Sequence, residues 1–231
     1  MKSLTPADLQ FVVARIPRDI RDVMLKNKIY VGGGFIRETI AGGEVKDIDM
    51  FGESVPLLTT IADLISLQRN ARTHRSPNAV TVICPPRVPL QFITRWCFAD
   101  ALDLVPSFDF TVCQAAVWFD KGHWRSAIHD DFYSDLADRR LVYTFPKREE
   151  AAGGSMLRVR KFLQRGYNIQ ATSLAGVIAR LAIAVDYRKA NNEFMVAQAI
   201  AGLLHEVDPV VVIDGMDLID EHEVIAQGAS A

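Results

Sequence analysis

The chain has few cysteines and no apolar run long enough to cross a membrane. Only three cysteines, Cys84, Cys97 and Cys113, occur in its 231 residues. Because their number is odd and their spacing is not that of metal ligands, we interpret them as reduced thiols of a cytoplasmic protein. The apolar stretches, such as residues 174–185, are too short and too interrupted for a membrane span. We therefore expect no membrane among the partners.

Common nucleotide-binding and hydrolytic motifs are also absent. The glycines at 32–34 lack the spacing of a Rossmann fingerprint, and no Gly-Lys-Ser/Thr follows them as in a Walker loop. No nucleophile turn supports Ser/His/Asp chemistry. His123 and His129 have no neighbour in the sequence that would organise them as catalytic bases. These absences leave the carboxylates and glycines near the N-terminus as the candidates for chemistry.

Positive charge is absent from residues 206–231 and is concentrated earlier in the chain, over residues 139–165. Residues 206–231 carry seven acids and no Lys or Arg, whereas residues 139–165 carry eight Lys or Arg against two acids. The basic stretch is either a solvated helix face or a contact surface for a polyanion such as nucleic acid. The residues that we assign to nucleic-acid contact in the second case are Arg158, Arg160, Lys161 and Arg165.

Hydrophobic periodicity predicts an α+β protein with a mixed sheet followed by a helical region. Strands are predicted at 28–31, 47–51, 78–84, 88–94, 108–119 and 124–130. Helices are predicted at 5–27 with a break at Pro17, at 35–42, at 56–70, at 94–105 and from 156 to 206. We expect two domains: a mixed-sheet domain over residues 1–150, and a small helical region with an acidic tail over residues 151–231.

Two aspartates lie two residues apart on one predicted strand. Successive side chains of a strand alternate between its faces, so Asp47 and Asp49 point to the same side. Two adjacent carboxylates resist joint ionisation unless a cation lies between them. Hard oxygen ligands suit Mg²⁺, which keeps several waters and takes further oxygens from substrate phosphates. The pair therefore predicts a magnesium site.

The glycines upstream supply a matching anion site. A strand that runs into Gly33 and Gly34 and then into a helix presents backbone N–H groups with no Cβ in the way. Taken singly, a glycine pair is typical of an ordinary turn, and an Asp-x-Asp strand is typical of a solvent-exposed sheet edge. Together they predict a phosphate-binding turn beside a metal-binding pair, which is the arrangement needed for phosphoryl or nucleotidyl transfer.

This stretch resembles a known superfamily. Gly33-Gly34, twelve residues and then Asp47-Ile48-Asp49 resemble the signature of nucleotidyltransferases with a DNA polymerase β type of catalytic domain. The longer segment GGFIRETIAGGEVKDIDMF is most similar to the head domain of bacterial CCA-adding enzymes and poly(A) polymerases. Residues 107–117 and the neck-helix segment 156–169 extend the resemblance, which covers residues 28–170.

The resemblance implies a fold and a reaction. The fold would be a mixed-sheet nucleotidyltransferase domain followed by a helical neck. The reaction would be template-independent transfer of a nucleoside monophosphate from an NTP to an acceptor hydroxyl. Backbone N–H groups of Gly33 and Gly34 would hold the triphosphate, with Arg37 near it, and Asp47 and Asp49 would bind two Mg²⁺ ions.

One further acid is expected near the site. On the resemblance to the family's Asp-Phe-Thr segment, Asp109 is a candidate third metal ligand or a nucleotide contact, carried on the strand 108–119. Gln91 stands on the strand where a third carboxylate is expected, and an amide binds Mg²⁺ more weakly than a carboxylate does.

Other departures leave the function open. Ser107 and Phe108 replace paired arginines of the family, Cys113 replaces an asparagine, and no base-reading box is recognisable at 149–156. The acceptor is accordingly left open between an RNA 3′ end, a protein and a small molecule. The alternative to an active transferase is a catalytically weak or inactive nucleotide- or RNA-binding relative with the same fold.

Overall fold

The computed structural model describes residues 1–146 and 151–207. The chain divides into two compact units, the first running from Met1 to Pro146 and the second beginning at Lys147. The acidic tail after residue 207 and residues 147–150 of the basic stretch lie outside the described residues.

The first unit is built on a seven-stranded mixed sheet. Its strand order is β3-β4-β5-β2-β1-β6-β7, in which β2 and β5 run parallel and the other neighbours run antiparallel. The strands are β1 (Ile29–Gly32), β2 (Ile48–Gly52), β3 (Arg72–Arg75), β4 (Ala79–Ile83), β5 (Leu90–Ile93), β6 (Ala115–Asp120) and β7 (His123–Ile128). A two-residue strand, β8 (Arg140–Leu141), follows later in the same unit. The predicted α+β class with a mixed sheet is confirmed.

Six helices accompany this sheet. They are α1 (Pro6–Arg15), α2 (Arg18–Met24), α3 (Gly34–Ala41), α4 (Val55–Arg69), α5 (Ala101–Leu104) and α6 (Phe132–Ala137). Pro17 separates α1 from α2, as predicted, because proline removes a helical hydrogen bond donor. Thr5 and Ser54 cap α1 and α4 through their side-chain oxygens.

Helices α3 and α4 cover the face of β2 that is opposite the two aspartates. Ile48 and Met50 are buried there, and they alternate along the strand with the aspartates. Gly52 shares their face, since a Cβ built on it would lie 3.2 Å from the side chain of Leu58 on α4. On the other face, Phe51 packs against aromatic rings of residues 98 and 108.

The second unit is largely helical, as the sequence predicts from residue 156 onward. It contains α7 (Gly154–Gln164), the two-residue strand β9 (Asn168–Ile169), α8 (Ala171–Ala184) and α9 (Glu193–Val207). The rings of Phe162 and Tyr167 are both buried and pack edge to face, with their centroids 4.9 Å apart. This aromatic pair anchors the C-terminal end of α7.

Two predictions for the segment before β6 are wrong. The helix predicted at 94–105 is confined to α5 and a 3₁₀ turn at Val105–Ser107, and the strand predicted at 108–119 begins only at Ala115. Side-chain hydrogen bonds are found here in place of the expected backbone hydrogen bonds between strands. Gln114 Nε2 donates to the carbonyl of Phe108 at 2.8 Å, and Thr111 Oγ1 donates to Asp135 Oδ2 at 2.5 Å. Such side-chain bonds offer the backbone an alternative to regular structure.

Candidate active site

The sheet places the glycine turn directly beside the carboxylate pair. In the antiparallel register of β1 and β2, Gly32 is the partner of Asp49. Asp47 immediately precedes β2, and both aspartates are half-buried. The two features that the sequence singled out separately therefore form one site at the end of β1.

Gly33 has a backbone conformation that few other residues adopt. Its φ is 67° and its ψ is −126°, and its N–H donates to the carbonyl of Ala115 on β6 at 3.0 Å. The Gly33 N–H, which is predicted to bind phosphate, is therefore already hydrogen-bonded to a neighbouring strand. Helix α3 begins at Gly34 with no side-chain cap, and the first N–H groups of a helix have no partner within it. The amides suited to an anion are therefore those of the first turn of α3, starting with Gly34.

Phe108 packs against this turn, and no pattern in the sequence indicated that packing. A Cβ built on Gly32 would lie 3.1 Å from the Phe108 ring, and one built on Gly33 would lie 3.2 Å from it. The ring also meets Phe51 edge to face, with the centroids 5.8 Å apart. The residue that replaces an arginine of the resembled family thus forms an apolar wall beside the glycines.

Arg37 lies near the turn but is buried. Its Nε and Nη2 donate to Glu38 Oε1 at 2.9 and 2.8 Å, and its Nη1 donates to Cys113 Sγ at 3.2 Å. Nη2 would lie 3.5 Å from a Cβ built on Gly34. The guanidinium therefore lies next to the start of α3 in an ion pair with Glu38, and its predicted position near a triphosphate remains a prediction.

Gln91 contacts the carboxylate pair. It is the parallel partner of Asp49 on β5, and its Nε2 donates to Asp47 Oδ2 at 3.2 Å. Its side chain is buried, so the amide is held at this position. The buried amide of Gln91 therefore fixes one oxygen of Asp47 by a direct hydrogen bond.

Asp109 is not on a strand, contrary to the prediction. It lies between two 3₁₀ turns, it is 1% exposed, and its carbonyl accepts the N–H of Thr144 at 2.9 Å. Within residues 1–146 and 151–207, no three His, Cys, Asp or Glu side chains come together as a potential metal-binding group. The roles predicted for Asp109, as a metal ligand or a nucleotide contact, therefore remain predictions.

Tyr30 lies on β1 two residues before Gly32 and is the antiparallel partner of Phe51, and sequence reasoning did not identify it. Its hydroxyl donates to the carbonyl of Ala99 at 3.0 Å. Burial, together with the nearby carboxylates of Asp100, Glu53 and Asp103, raises the pKa of Tyr30 to about 12. The hydroxyl is therefore a neutral hydrogen-bond donor at neutral pH, and its role is structural.

The four basic residues predicted to contact nucleic acid lie on α7 or directly after it. Arg160 and Arg165 are exposed, Arg158 and Lys161 are half-buried, and the helix buries Val159 on its other side. This amphipathic arrangement agrees both with a solvated helix and with a polyanion-binding face.

The comparisons with known proteins identify the family. The model of the Gabija anti-defense 2 family matches residues 7–139, which is more than half of the chain. The chain belongs to the Gabija anti-defense 2 family. It is 25% identical over 156 residues to the Gabija anti-defense 2 protein of Bacillus phage SPbetaL7, an alignment that covers 68% of this chain and 38% of that protein.

Solved structures of CCA-adding enzymes share its fold. The Thermotoga maritima CCA-adding enzyme complexed with tRNA superposes with a TM-score of 0.56 at 16% identity, over 91% of this chain and 57% of that one. A CCA-adding enzyme with CTP superposes with a TM-score of 0.55 at 16% identity, over 89% and 51%. The expected nucleotidyltransferase fold is thereby confirmed. The chain spans little more than half the length of these structures and 38% of its phage relative.

One further expectation concerns membranes. None of the helices in the described part of the chain is both long and apolar enough to cross a bilayer.

Proposed function

We propose that this member of the Gabija anti-defense 2 family is a magnesium-dependent nucleotidyltransferase that transfers a nucleoside monophosphate from an NTP to an acceptor hydroxyl. The observation that carries the proposal is the pairing of Asp49 with Gly32. It puts two carboxylates beside the uncapped first turn of α3, so that a metal site adjoins a phosphate site.

The donor set fits magnesium. Asp47 and Asp49 offer carboxylate oxygens on one face of β2, and a site with one or two protein carboxylates is typical of Mg²⁺ shared with substrate phosphates. When bound, Mg²⁺ would supply Lewis acidity toward the phosphate and would lower the pKa of the attacking hydroxyl. Asp47 and Asp49 are the residues that would hold it.

Side chains and backbone amides of the chain itself would bind the triphosphate and orient the metal-binding carboxylates. The first-turn amides of α3 are placed to bind an anion at the helix start, and the Arg37 guanidinium lies beside them in its ion pair with Glu38. Gln91 holds Asp47 in place through the Nε2–Oδ2 hydrogen bond. The Phe108 ring against the glycines keeps water from that side of the turn.

We propose an RNA 3′ end as the acceptor and the basic face of α7 as its contact surface. Two of its four cations, Arg160 and Arg165, are exposed, as a surface for phosphates requires. The family's name describes action against a defence called Gabija. We place the transfer reaction in that role.

The direct test incubates the protein with each α-labelled NTP, Mg²⁺ and total RNA or cell lysate. Incorporation of label into material that ribonuclease removes is expected for the protein and not for its Asp47→Asn variant. Label removed by protease would instead identify a protein acceptor. Nucleotide binding without any incorporation would favour the second candidate function.

That second candidate is a nucleotide- or RNA-binding relative with little or no catalysis, and Gln91 favours it. The neutral amide of Gln91 lies against Asp47, where a third carboxylate would strengthen the metal site. An amide oxygen is a weaker ligand for Mg²⁺ than a carboxylate is.

Gln91→Glu is expected to tighten Mg²⁺ binding by about ten-fold, because it adds a carboxylate to the pair. Without metal, the third charge should lower the melting temperature, and Mg²⁺ should restore it. Titration of the melting temperature against Mg²⁺ measures both effects. Gln91→Leu, which removes the amide without adding charge, is the control, and equal Mg²⁺ midpoints in the two variants would contradict the site.

Neutralising the α7 cations is expected to weaken RNA binding and flatten its salt dependence. For single strands, removing one cation that neutralises a phosphate reduces the slope of log affinity against log salt by about 0.7. The variant replaces Arg158, Arg160, Lys161 and Arg165 with glutamine, and its affinity is measured from low to moderate salt. Replacement of Arg188 and Lys189, two exposed cations that pair with Asp186, is the matched control. Equal slopes for the two variants would remove α7 as the RNA surface.

A further inference from the structure

A second cavity lies on the face of the sheet opposite the carboxylate pair. Its volume is about 690 Å³, and it is bounded by the α1–α2 junction, α3, the start of β2 and the loop before β5. Ile48 lines it, and Ile48 alternates with Asp47 and Asp49 along the chain, so the cavity opens away from the proposed transfer site. This volume lies in the range of small-molecule sites.

The floor of the cavity is apolar. The side chains that form it come from all four bounding elements, and they are Pro17, Phe35, Ile48, Pro86 and Val88. Flat rings and branched aliphatic groups of this kind suit a planar, weakly polar body such as a nucleobase.

The rim of the cavity carries an excess of positive charge. Arg15, Arg18 and Arg87 line it and are exposed. The carboxylate of Asp19 is largely neutralised by Arg69, whose Nε and Nη2 donate to it at 2.7 and 2.9 Å. Neither Arg15 nor Arg18 forms an ion pair with any residue in the ranges 1–146 and 151–207, although Arg15 stacks on an aromatic ring. Two guanidiniums are therefore available to an anionic group.

A buried hydroxyl also lines the cavity without a hydrogen-bond partner. Thr39 on α3 is 2% exposed, and its Oγ1 bonds to no group in the described part of the chain. A threonine in a helix commonly bonds the carbonyl one turn back, and a buried polar atom left unpaired is destabilising. The Oγ1 atom is itself covered in the free protein, so a ligand in the cavity supplies the missing partner once the Thr39 side chain turns toward it.

We propose that this cavity is a nucleotide-binding site separate from the transfer site. The base lies on the apolar floor and bonds Thr39 Oγ1, and the phosphate meets Arg15 and Arg18. The carboxylate of Asp22, which is exposed at the rim, is placed to accept hydrogen bonds from ribose hydroxyls. The site does not depend on the proposed catalytic activity, because it shares no residue with the carboxylate pair.

The test measures binding of the four nucleoside 5′-monophosphates by calorimetry and by melting temperature, in EDTA so that no divalent metal supports the transfer site. At least one monophosphate is expected to bind and to raise the melting temperature. Thr39→Val, which has the same shape without the hydroxyl, should raise the melting temperature of the free protein and weaken binding by about ten-fold. Thr39→Ser should keep the affinity.

Variants on the rim test the site without touching the core. The double variant Arg15→Gln, Arg18→Gln should weaken binding, whereas Arg188→Gln should leave it unchanged. Asp49→Asn should also leave it unchanged, and stronger binding in that variant, where a charge that repels phosphate is removed, would assign the nucleotide to the transfer site. No binding at millimolar monophosphate, or an equal effect of inorganic phosphate alone, would overturn the proposal.

Discussion

Asp49→Asn is expected to lower the rate of nucleotide transfer by about 100- to 1000-fold, the usual effect of removing one electrostatic stabiliser of a transition state. Asp49 lies within β2 beside the glycine turn, so its carboxylate is aimed at the place where a triphosphate would lie. Asparagine keeps the shape and removes the charge. Asp47→Asn should have a comparable effect, since the two carboxylates form one ligand pair.

The same variants should not unfold the protein. Two half-buried carboxylates repel each other when no metal is present, so removing one charge relieves the repulsion. The melting temperature in EDTA should stay the same or rise, and its increase on addition of Mg²⁺ should disappear. Asp103→Asn, at an exposed acid on α5, is the control for both measurements. Near-normal turnover of Asp49→Asn would show that the carboxylate pair is not the metal site.

The elements around the candidate site that the sequence predicted correctly are those encoded locally. Alternation of apolar and acidic residues predicted the strand of Asp47 and Asp49, and the glycines followed by an apolar stretch predicted the turn into α3. The start of α4 near Pro56 and the break at Pro17 depend on the chemistry of single residues. Each of these signals acts within a few residues, so the chain alone reveals it.

The parts that were missed depend on contacts between distant residues. Two hydrogen bonds follow from strand register, which no local pattern specifies. They run from the Gly33 N–H to the carbonyl of Ala115 and from Gln91 Nε2 to Asp47 Oδ2. Strand β3 was missed because all its residues are exposed and polar, so it shows no apolar alternation. Phe108 had been assigned to a strand, but a side-chain hydrogen bond to its carbonyl keeps it in an irregular segment against the glycines.

Gly33→Val is expected to destabilise the fold by about 3 kcal/mol or more, because it combines backbone strain with overpacking. The conformation at Gly33, with φ 67° and ψ −126°, is one that L-residues rarely adopt. The new side chain would also begin 3.2 Å from the Phe108 ring. Chemical denaturation of the variant and of the unmodified protein measures the free energy of unfolding.

Gly42 is a matched control for the cost of a positive φ angle. Comparing the two glycines separates an effect on NTP binding from an effect on the stability of the fold. Its φ is also 67°, but its ψ is 21° and no atom lies within 4 Å of a Cβ built on it. Gly42→Ala should therefore cost only about 1–2 kcal/mol, the usual penalty for the left-handed region, and Gly33→Ala should cost more. Because the turn positions the first amides of α3, Gly33→Ala should also weaken NTP binding under conditions where it remains folded, whereas Gly42→Ala should not. Unchanged NTP affinity in folded Gly33→Ala would mean that the start of α3 does not bind the triphosphate, even if the stability difference between the two glycines is as expected.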